Sequence, residues 1–210
     1  MINIVDSVKS TNTWLSFFNT DYFSSIISLS QSEGYGRLGR DWESAFGGLY
    51  FSLSLPYRPL LPFVIGISVS EVLEEYKFNT NLKWPNDIIA GGKKLGGILC
   101  QKQDEVVIAG LGINFDNKVA LPTVVSISEM NYKINKLSFV VSFVEKLKLN
   151  LKHSDEMIID KFLRYDILVG ERVSWSEGKG IVETISLDGS LGVKTDEGNM
   201  VFLTEEVHLQ

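Results

Sequence analysis

A glycine- and arginine-rich stretch, residues 34–42, carries the strongest chemical signal in the sequence. It reads Gly-Tyr-Gly-Arg-Leu-Gly-Arg-Asp-Trp. Glycine lets backbone N–H groups approach a ligand closely, arginine forks match phosphate or carboxylate oxygens, and tryptophan offers a flat face to a planar ring. The pattern indicates a loop that binds an anion carrying a planar ring, such as a nucleotide. A solvated surface turn could have the same composition.

The loop matches neither of the two common nucleotide-binding motifs. Its glycine spacing has the letters of the dinucleotide fingerprint, but residues 41–48 lack the helical apolar pattern that must follow. A P-loop would end in Gly-Lys-Ser/Thr, which is absent here. We therefore expect the ligand to be held by a different arrangement.

Two segments further along the chain combine charged residues with glycines. Residues 83–87 read Lys-Trp-Pro-Asn-Asp, and residues 94–99 read Lys-Leu-Gly-Gly-Ile-Leu. The dipeptide Gly91-Gly92 between them predicts a hairpin, which would bring Lys94 back beside Asp87. Glycines within a strand are costly unless a ligand or another backbone approaches closely. An ordinary turn with an exposed lysine would also fit this segment.

Two more polar segments complete the candidate site. Residues 110–114 read Gly-Leu-Gly-Ile-Asn and would place Asn114 at the end of a strand. Residues 10–12 and Gln31 supply short, neutral hydrogen-bond donors and acceptors that flank the glycine loop. Tight packing and a helix cap would each explain one of these segments alone.

Composition limits the partners of the chain. Its 210 residues carry a net charge of −6, which argues against a broad nucleic-acid or membrane surface. We expect neither DNA nor a membrane as a partner. The single cysteine, Cys100, has apolar neighbours and is interpreted as a buried thiol, which favours a cytoplasmic location. His153 and His208 lie far apart in the sequence, so no protein-bound metal site is expected.

Apolar periodicity predicts an α+β fold with a mixed β-sheet backed by helices. Predicted strands span residues 25–29, 49–55, 87–90, 94–103 and 106–114, and predicted helices span residues 10–19, 63–76, 137–151 and 155–168. After residue 170, short strands at 172–175, 180–185, 191–194 and 200–203 alternate with glycine turns and predict a small barrel. The predicted domains are residues 1–169 and 170–210.

Taken together, these segments resemble the biotin protein ligases in order and spacing. The resemblance implies a class II synthetase-like catalytic domain, residues 1–169, followed by an SH3-like domain, residues 170–210. It also implies a reaction in two steps. Biotin and ATP, the latter with Mg²⁺, give biotinyl-5′-AMP, and biotin is then transferred to a lysine of a biotin carboxyl carrier protein.

The resemblance also assigns roles to individual residues. Catalysis falls to Lys94, Arg37 and Asp87, with Asp87 facing the incoming lysine. The implied biotin-binding residues are Ser10, Thr11, Asn12, Gln31, Gly34, Tyr35, Arg37, Lys94 and Gly97. The implied ATP-binding residues are Arg37, Arg40, Trp42, Asn86, Lys94, Ile113 and Asn114.

Two rival functions and several departures stay open from sequence. A lipoate or octanoate ligase of the same superfamily would need a long apolar tunnel, and a non-catalytic biotin-binding adaptor would not need Lys94.

Tyr35 stands where the family often has arginine. Only nine residues precede Ser10, so we expect no operator binding. A homodimer is expected, and the apolar strand 106–114 is compatible with pairing at a sheet edge.

Overall fold

The computed structural model of the protein describes residues 2–18, 21–118 and 120–209. The N-terminal strands are β1 Ile2–Val5, β2 Ser25–Ser28, β3 Leu49–Pro56, β4 Asn81–Lys83, β5 Asp87–Ala90, β6 Lys93–Gln103 and β7 Val106–Ile113. The helices are α1 Thr11–Ser16, α2 Leu61–Glu75, α3 Lys136–Asn150 and α4 Asp155–Leu163. The C-terminal strands are β8 Arg172–Trp175, β9 Gly178–Ile185, β10 Leu191–Thr195, β11 Met200–Leu203 and β12 His208–Leu209.

The first seven strands form one mixed sheet in the order β1-β2-β3-β7-β6-β5-β4. Only β1 and β2 are parallel, and the other neighbours are antiparallel. The predicted mixed sheet backed by helices is therefore confirmed. The role suggested for strand 106–114 as a dimer edge was wrong, because β7 is paired with β3 on one side and β6 on the other along its length. The edges of the sheet are β1 and β4.

The two faces of the sheet are covered differently. Helix α2 packs against α3, α4 and the sheet, and it is apolar around most of its circumference because it lies between two layers. Side chains alternate along each strand, so Val107 faces this large core while Ile108 faces a small cluster beneath α1. The opposite face beyond α1 is left open, and the candidate site lies there.

Helix α4 is shorter than the sequence predicted. It ends at Leu163 rather than near residue 168, because the chain there turns to bond with the sheet edge. The backbone N–H of Leu82 in β4 donates to Tyr165 O at 2.8 Å. The carboxylate of Asp166 then accepts the backbone N–H groups of Leu168 and Val169. These bonds compete with further helical turns and direct the chain into the C-terminal sheet.

The C-terminal strands form a separate five-stranded antiparallel sheet in the order β11-β10-β9-β8-β12. Four of its strands were predicted, and β12 was missed because it has two residues. Val173, Val193 and Leu203 of this sheet join the large core of the N-terminal sheet. Among the described residues, no helix is long and apolar enough to span a membrane.

The centre of the large core offers a stability test. Phe51 in β3 has no exposed surface and meets Phe143 edge-on with ring centroids 6.1 Å apart. We expect Phe51→Ala to lower the free energy of unfolding by about 3–5 kcal/mol in urea titrations. The matched control Phe17→Ala, at a side chain that is 81% exposed, should cost less than about 0.5 kcal/mol. Equal losses for the two variants would contradict this description of the core.

Candidate active site

The floor of the site is made of strand positions that lack side chains. In one row across the sheet, Tyr50 of β3 is paired with Gly112 of β7, which is paired with Gly97 of β6, which is paired with Asp87 of β5. In the next row, Gly110 lies between its neighbours on β3 and β6. The missing side chains leave room above the sheet for a cavity of about 250 Å³.

The cavity brings together nearly all the residues that the sequence suggested. Thirteen of them line it, namely Ser10, Thr11, Asn12, Gln31, Tyr35, Arg37, Arg40, Trp42, Asn86, Asp87, Lys94, Gly97 and Asn114. Two predicted residues lie outside this lining. Ile113 is fully buried in the large core on the helix side of β7. Gly34 packs against Ser44 and Gln31, where any side chain would collide with them.

One end of the cavity is a neutral hydrogen-bond network at the start of α1. Thr11 donates to Gln31 Oε1 from its backbone N–H at 2.7 Å and from its hydroxyl at 3.0 Å. Gln31 Nε2 donates to Ser44 Oγ at 2.8 Å. The buried Ser52 hydroxyl shares its proton between Thr11 Oγ1 and Asn12 Oδ1, at 2.8 and 2.6 Å. These bonds fix the orientation of groups that can recognise a neutral polar ligand.

The tyrosine that departs from the family pattern belongs to this end. Tyr35 Oη donates to Gln101 Oε1 at 3.0 Å and lies 3.2 Å from Thr13 Oγ1. Gln101 Oε1 also accepts Asn12 Nδ2 at 2.8 Å. A neutral tyrosine therefore suits its neutral partners, and Tyr35 ties the glycine loop to α1 and β6.

The other end of the cavity is charged. Lys94 Nζ lies 2.7 Å from Asp87 Oδ1 and 5.4 Å from the ring centroid of Trp42. The predicted proximity of Lys94 and Asp87 is therefore confirmed. The Asn86 amide donates to the backbone oxygen of Ile98 at 2.8 Å, which holds the segment before β5 against β6. Lys94 has a side chain that is 34% exposed, so an anion can reach it from the cavity.

The glycine loop closes back on itself as a hairpin over the floor. Gly36 N–H donates to Arg40 O at 2.7 Å, and Trp42 N–H donates to Gly34 O at 2.9 Å. The Trp42 ring lies against Gly97 and Gly112, where a Cβ would come within 3.3 and 2.7 Å of it. Its buried Nε1 has no hydrogen-bond partner within the described part of the chain. The predicted flat face is thus placed beside Lys94.

Both loop arginines contact the segment that connects β11 and β12. Arg40 binds Glu206 as a fork, with Nη1–Oε1 and Nη2–Oε2 distances of 3.2 and 2.5 Å. Arg37 Nη2 donates to Thr204 O at 3.4 Å. The hydrogen bond from Arg40 lowers the pKa of Glu206 below its ordinary value. The Arg40 fork is therefore occupied by a carboxylate, whose oxygens match an arginine fork as those of a phosphate do.

Sequence reasoning missed four residues that line or support the site, namely Ser52, Gln101, Asn117 and Glu206. The polar alternation Tyr50, Ser52, Ser54 within β3 was the one signal that could have shown a polar face. Glu206 lies 166 positions after Arg40, and nothing in the sequence connects them.

Comparison with known proteins decides the family. The profile of the Biotin/lipoate A/B protein ligase family matches residues 4–116. The biotin protein ligase from Aquifex aeolicus in complex with biotin and ATP is similar over 100% of this chain and 98% of that chain, with a TM-score of 0.89 and 30% identity. This chain belongs to the biotin/lipoate A/B protein ligase family.

Curated relatives match over shorter stretches. Biotin–protein ligase 2 of Arabidopsis thaliana is 33% identical over 108 residues, which cover 44% of this chain and 33% of the relative. The bifunctional ligase/repressor BirA of Bacillus subtilis (strain 168) is 33% identical over 129 residues, which cover 55% of this chain and 40% of the relative. The matched part therefore spans less than half of either relative.

The cysteine of this family member lies away from the cavity. Cys100 is on the helix-facing side of β6, packed against the large core, and burial raises the pKa of its thiol to about 12. Although the residue is only half-buried, the raised pKa keeps its thiolate fraction at pH 8 well below that of an ordinary thiol, whose pKa is about 8.5–9.

We expect Cys100 in the folded protein to react with Ellman's reagent at pH 8 at least about 100-fold more slowly than in denaturant, because the thiolate is the reacting species. Stopped-flow absorbance measures both rates. Equal rates in the folded and denatured protein would contradict the placement of this thiol.

Proposed function

We propose that the protein is a biotin protein ligase. In the first step, a carboxylate oxygen of biotin attacks the α-phosphorus of ATP, pyrophosphate leaves, and biotinyl-5′-AMP forms. In the second step, the amine of a carrier-protein lysine attacks the acyl carbon, AMP leaves, and the amine loses a proton. The observation that carries the proposal is one cavity with a neutral recognition end at Thr11 and Gln31 and a cationic end at Lys94.

The neutral end suits the ureido head of biotin. A cyclic urea is uncharged and has one acceptor oxygen and two N–H donors, so it needs paired donors and acceptors rather than ions. Ser10, Thr11 and Gln31 supply these groups. Gly97 and Gly112 let the Trp42 ring pack directly on the sheet, beside the cavity.

The cationic end suits the two reacting anions. A carboxylate and a phosphate repel each other, and fixed cations must offset that repulsion before they can react. Lys94 serves at the point of reaction, while Arg37 and Arg40 serve the phosphates. Preorganised groups of this kind also stabilise the charge that develops in the transition state. Mg²⁺ enters with ATP as part of the substrate and neutralises phosphate charge.

The two rival functions have less support. A lipoate or octanoate ligase would need an apolar tunnel, whereas the end of this cavity at Asn12 and Gln31 is polar. A non-catalytic biotin-binding adaptor would have no use for Lys94 and Asp87 aligned at the opposite end.

Several finer features belong to the same proposal. The carrier is a biotin carboxyl carrier protein, the enzyme acts in the cytoplasm, and residues 170–210 form an SH3-like domain that follows a catalytic domain of residues 1–169. The enzyme is a homodimer that pairs at the free edge of β1, where Ile2 and Ile4 are 44% and 57% exposed. No group of three or more His, Cys, Asp or Glu in the described ranges could hold a resident metal.

One assay tests the reaction class. Pyrophosphate release from ATP should require biotin, and labelled biotin should then appear on an added biotin carboxyl carrier domain. Pyrophosphate release with lipoate but not with biotin would show that the protein is a lipoate ligase instead. Biotin binding without pyrophosphate release would favour the adaptor.

Lys94→Ala should lower biotin-dependent pyrophosphate release by about 10²–10³-fold, because it removes a preorganised cation at the reacting groups. Lys93→Ala is the matched control, since Lys93 is the exposed neighbour on the same strand, and it should stay within about twofold. A fully active Lys94→Ala variant would refute the assignment.

Asp87→Asn separates the two steps. If Asp87 orients or deprotonates the incoming lysine, transfer to the carrier domain should fall by about 10²-fold, whereas pyrophosphate release should fall by less than about fivefold. Single-turnover transfer from preformed biotinyl-5′-AMP measures the second step alone. Equal losses in both steps would assign Asp87 to the support of Lys94 instead.

A further inference from the structure

Asn114, at the end of β7, is locked in place by its backbone. Its N–H donates to Leu95 O at 3.0 Å, and its carbonyl accepts Ile127 N–H at 3.0 Å. The residue is 2% exposed and borders the charged end of the cavity. Its side chain can therefore change only by turning about its own bonds, and the polarity that it shows to a ligand depends on which way its amide points.

A second asparagine sets that direction. Asn117 Nδ2 donates to Asn114 Oδ1 at 2.8 Å. Because Asn114 Oδ1 accepts this bond, the NH₂ group of Asn114 points away from Asn117. Within the described residues that NH₂ group makes no hydrogen bond. The NH₂ is not among the sealed, unpartnered atoms, so it keeps some exposed surface, and Asn114 is one of the residues that line the cavity.

The opposite amide orientation is less favourable. Turning both amides would leave the NH₂ of Asn117 buried without a partner, in place of the Oδ1 atom that is unpartnered now. A buried NH₂ group has two protons that each need an acceptor. Buried donors without a partner are rarer in proteins than buried carbonyl oxygens with an unused lone pair. The environment of Asn117 therefore favours a donor at the cavity.

The position of Asn117 is itself fixed. Asn117 is 2% exposed and lies against Gly47, where a Cβ would come within 2.8 Å of the Asn117 backbone nitrogen. Asp116 N–H donates to Gly47 O at 3.0 Å, which holds the segment after β7 to the segment before β3. Asn117 does not line the cavity, so any effect on a ligand must pass through Asn114.

We propose that Asn117 is a positioning residue that sets the amide of Asn114 so that its NH₂ donates to an acceptor atom of the nucleotide. The inference rests on the proposed function, because it takes ATP as the ligand of the Lys94 end. The neutral end proposed for the head group of biotin lies away from Lys94, since Gln101 and Lys94 are seven residues apart on β6, or roughly 23 Å at about 3.3 Å per residue. We therefore expect a change at Asn117 to alter the affinity for ATP and to leave the affinity for biotin unchanged.

The central variant is Asn117→Asp, which keeps size and shape but replaces the NH₂ donor by an acceptor. The Asn114 amide must then turn its NH₂ toward the carboxylate and present its oxygen to the nucleotide. We expect the KM for ATP to rise roughly ten- to a hundredfold, because one good hydrogen bond to the nucleotide is lost and two acceptor atoms then face each other. The biotin Kd measured without ATP should stay within twofold.

A double-mutant cycle shows whether the effect passes through Asn114. In an Asn114→Ala background, Asn117→Asp should change the KM for ATP by less than about twofold. The same large rise in both backgrounds would overturn the proposal. Asn117→Leu removes the bond without reversing it and should raise the KM for ATP less than Asn117→Asp does. A purely structural role predicts the opposite order, because the aspartate is closer in shape to the native residue.

The controls separate the possible failures. Asn131→Asp makes the same chemical change at an exposed turn and should leave the KM for ATP within twofold. Calorimetric titration with a non-hydrolysable ATP analogue, run beside thermal unfolding, measures the nucleotide Kd of each folded variant without turnover. If the wild-type protein releases no pyrophosphate but binds the analogue, the proposed function fails while the titration still tests Asn117. An unchanged analogue Kd in a folded Asn117→Asp variant overturns the inference itself.

Discussion

The site depends on three strand positions that have no side chain. A Cβ at Gly112 would come within 2.7 Å of the Trp42 ring, one at Gly97 within 3.3 Å of it, and one at Gly110 would collide with Asn12. The cost of glycine within strands is offset here by close packing, because Trp42 and Asn12 lie directly on these positions.

The cavity of this chain, whose net charge is −6, is lined by cations and carboxylates in nearly equal number. The cations are Arg37, Arg40 and Lys94, and the carboxylates are Asp41, Glu43, Asp87 and Glu206. Lys94 is matched with Asp87, and Arg40 with Glu206. A cation that is partly removed from water needs a partner, and these carboxylates supply one.

The C-terminal sheet takes part in this arrangement. Trp84, next to the residues that enter β5, donates its Nε1–H to Gly189 O at 2.9 Å, and Glu206 holds the glycine loop through Arg40. Two segments of the site that are more than forty residues apart in sequence are thus fixed against one neighbour. Without these contacts Arg40 would lose its anion partner and the indole of Trp84 would lose its acceptor.

The sequence by itself determined the longer helices and strands, the turn that returns Lys94 to Asp87, and the residue types of the site, because side-chain periodicity and glycine turns are local signals. It missed β4 and β12, which have three and two residues, and β1, an edge strand with no fully buried position. Only the tertiary structure decided that β7 is central, that Glu206 meets Arg40, and that Asn117 orients Asn114. Strand order and side-chain partners are set by packing between distant segments, and no local pattern records them.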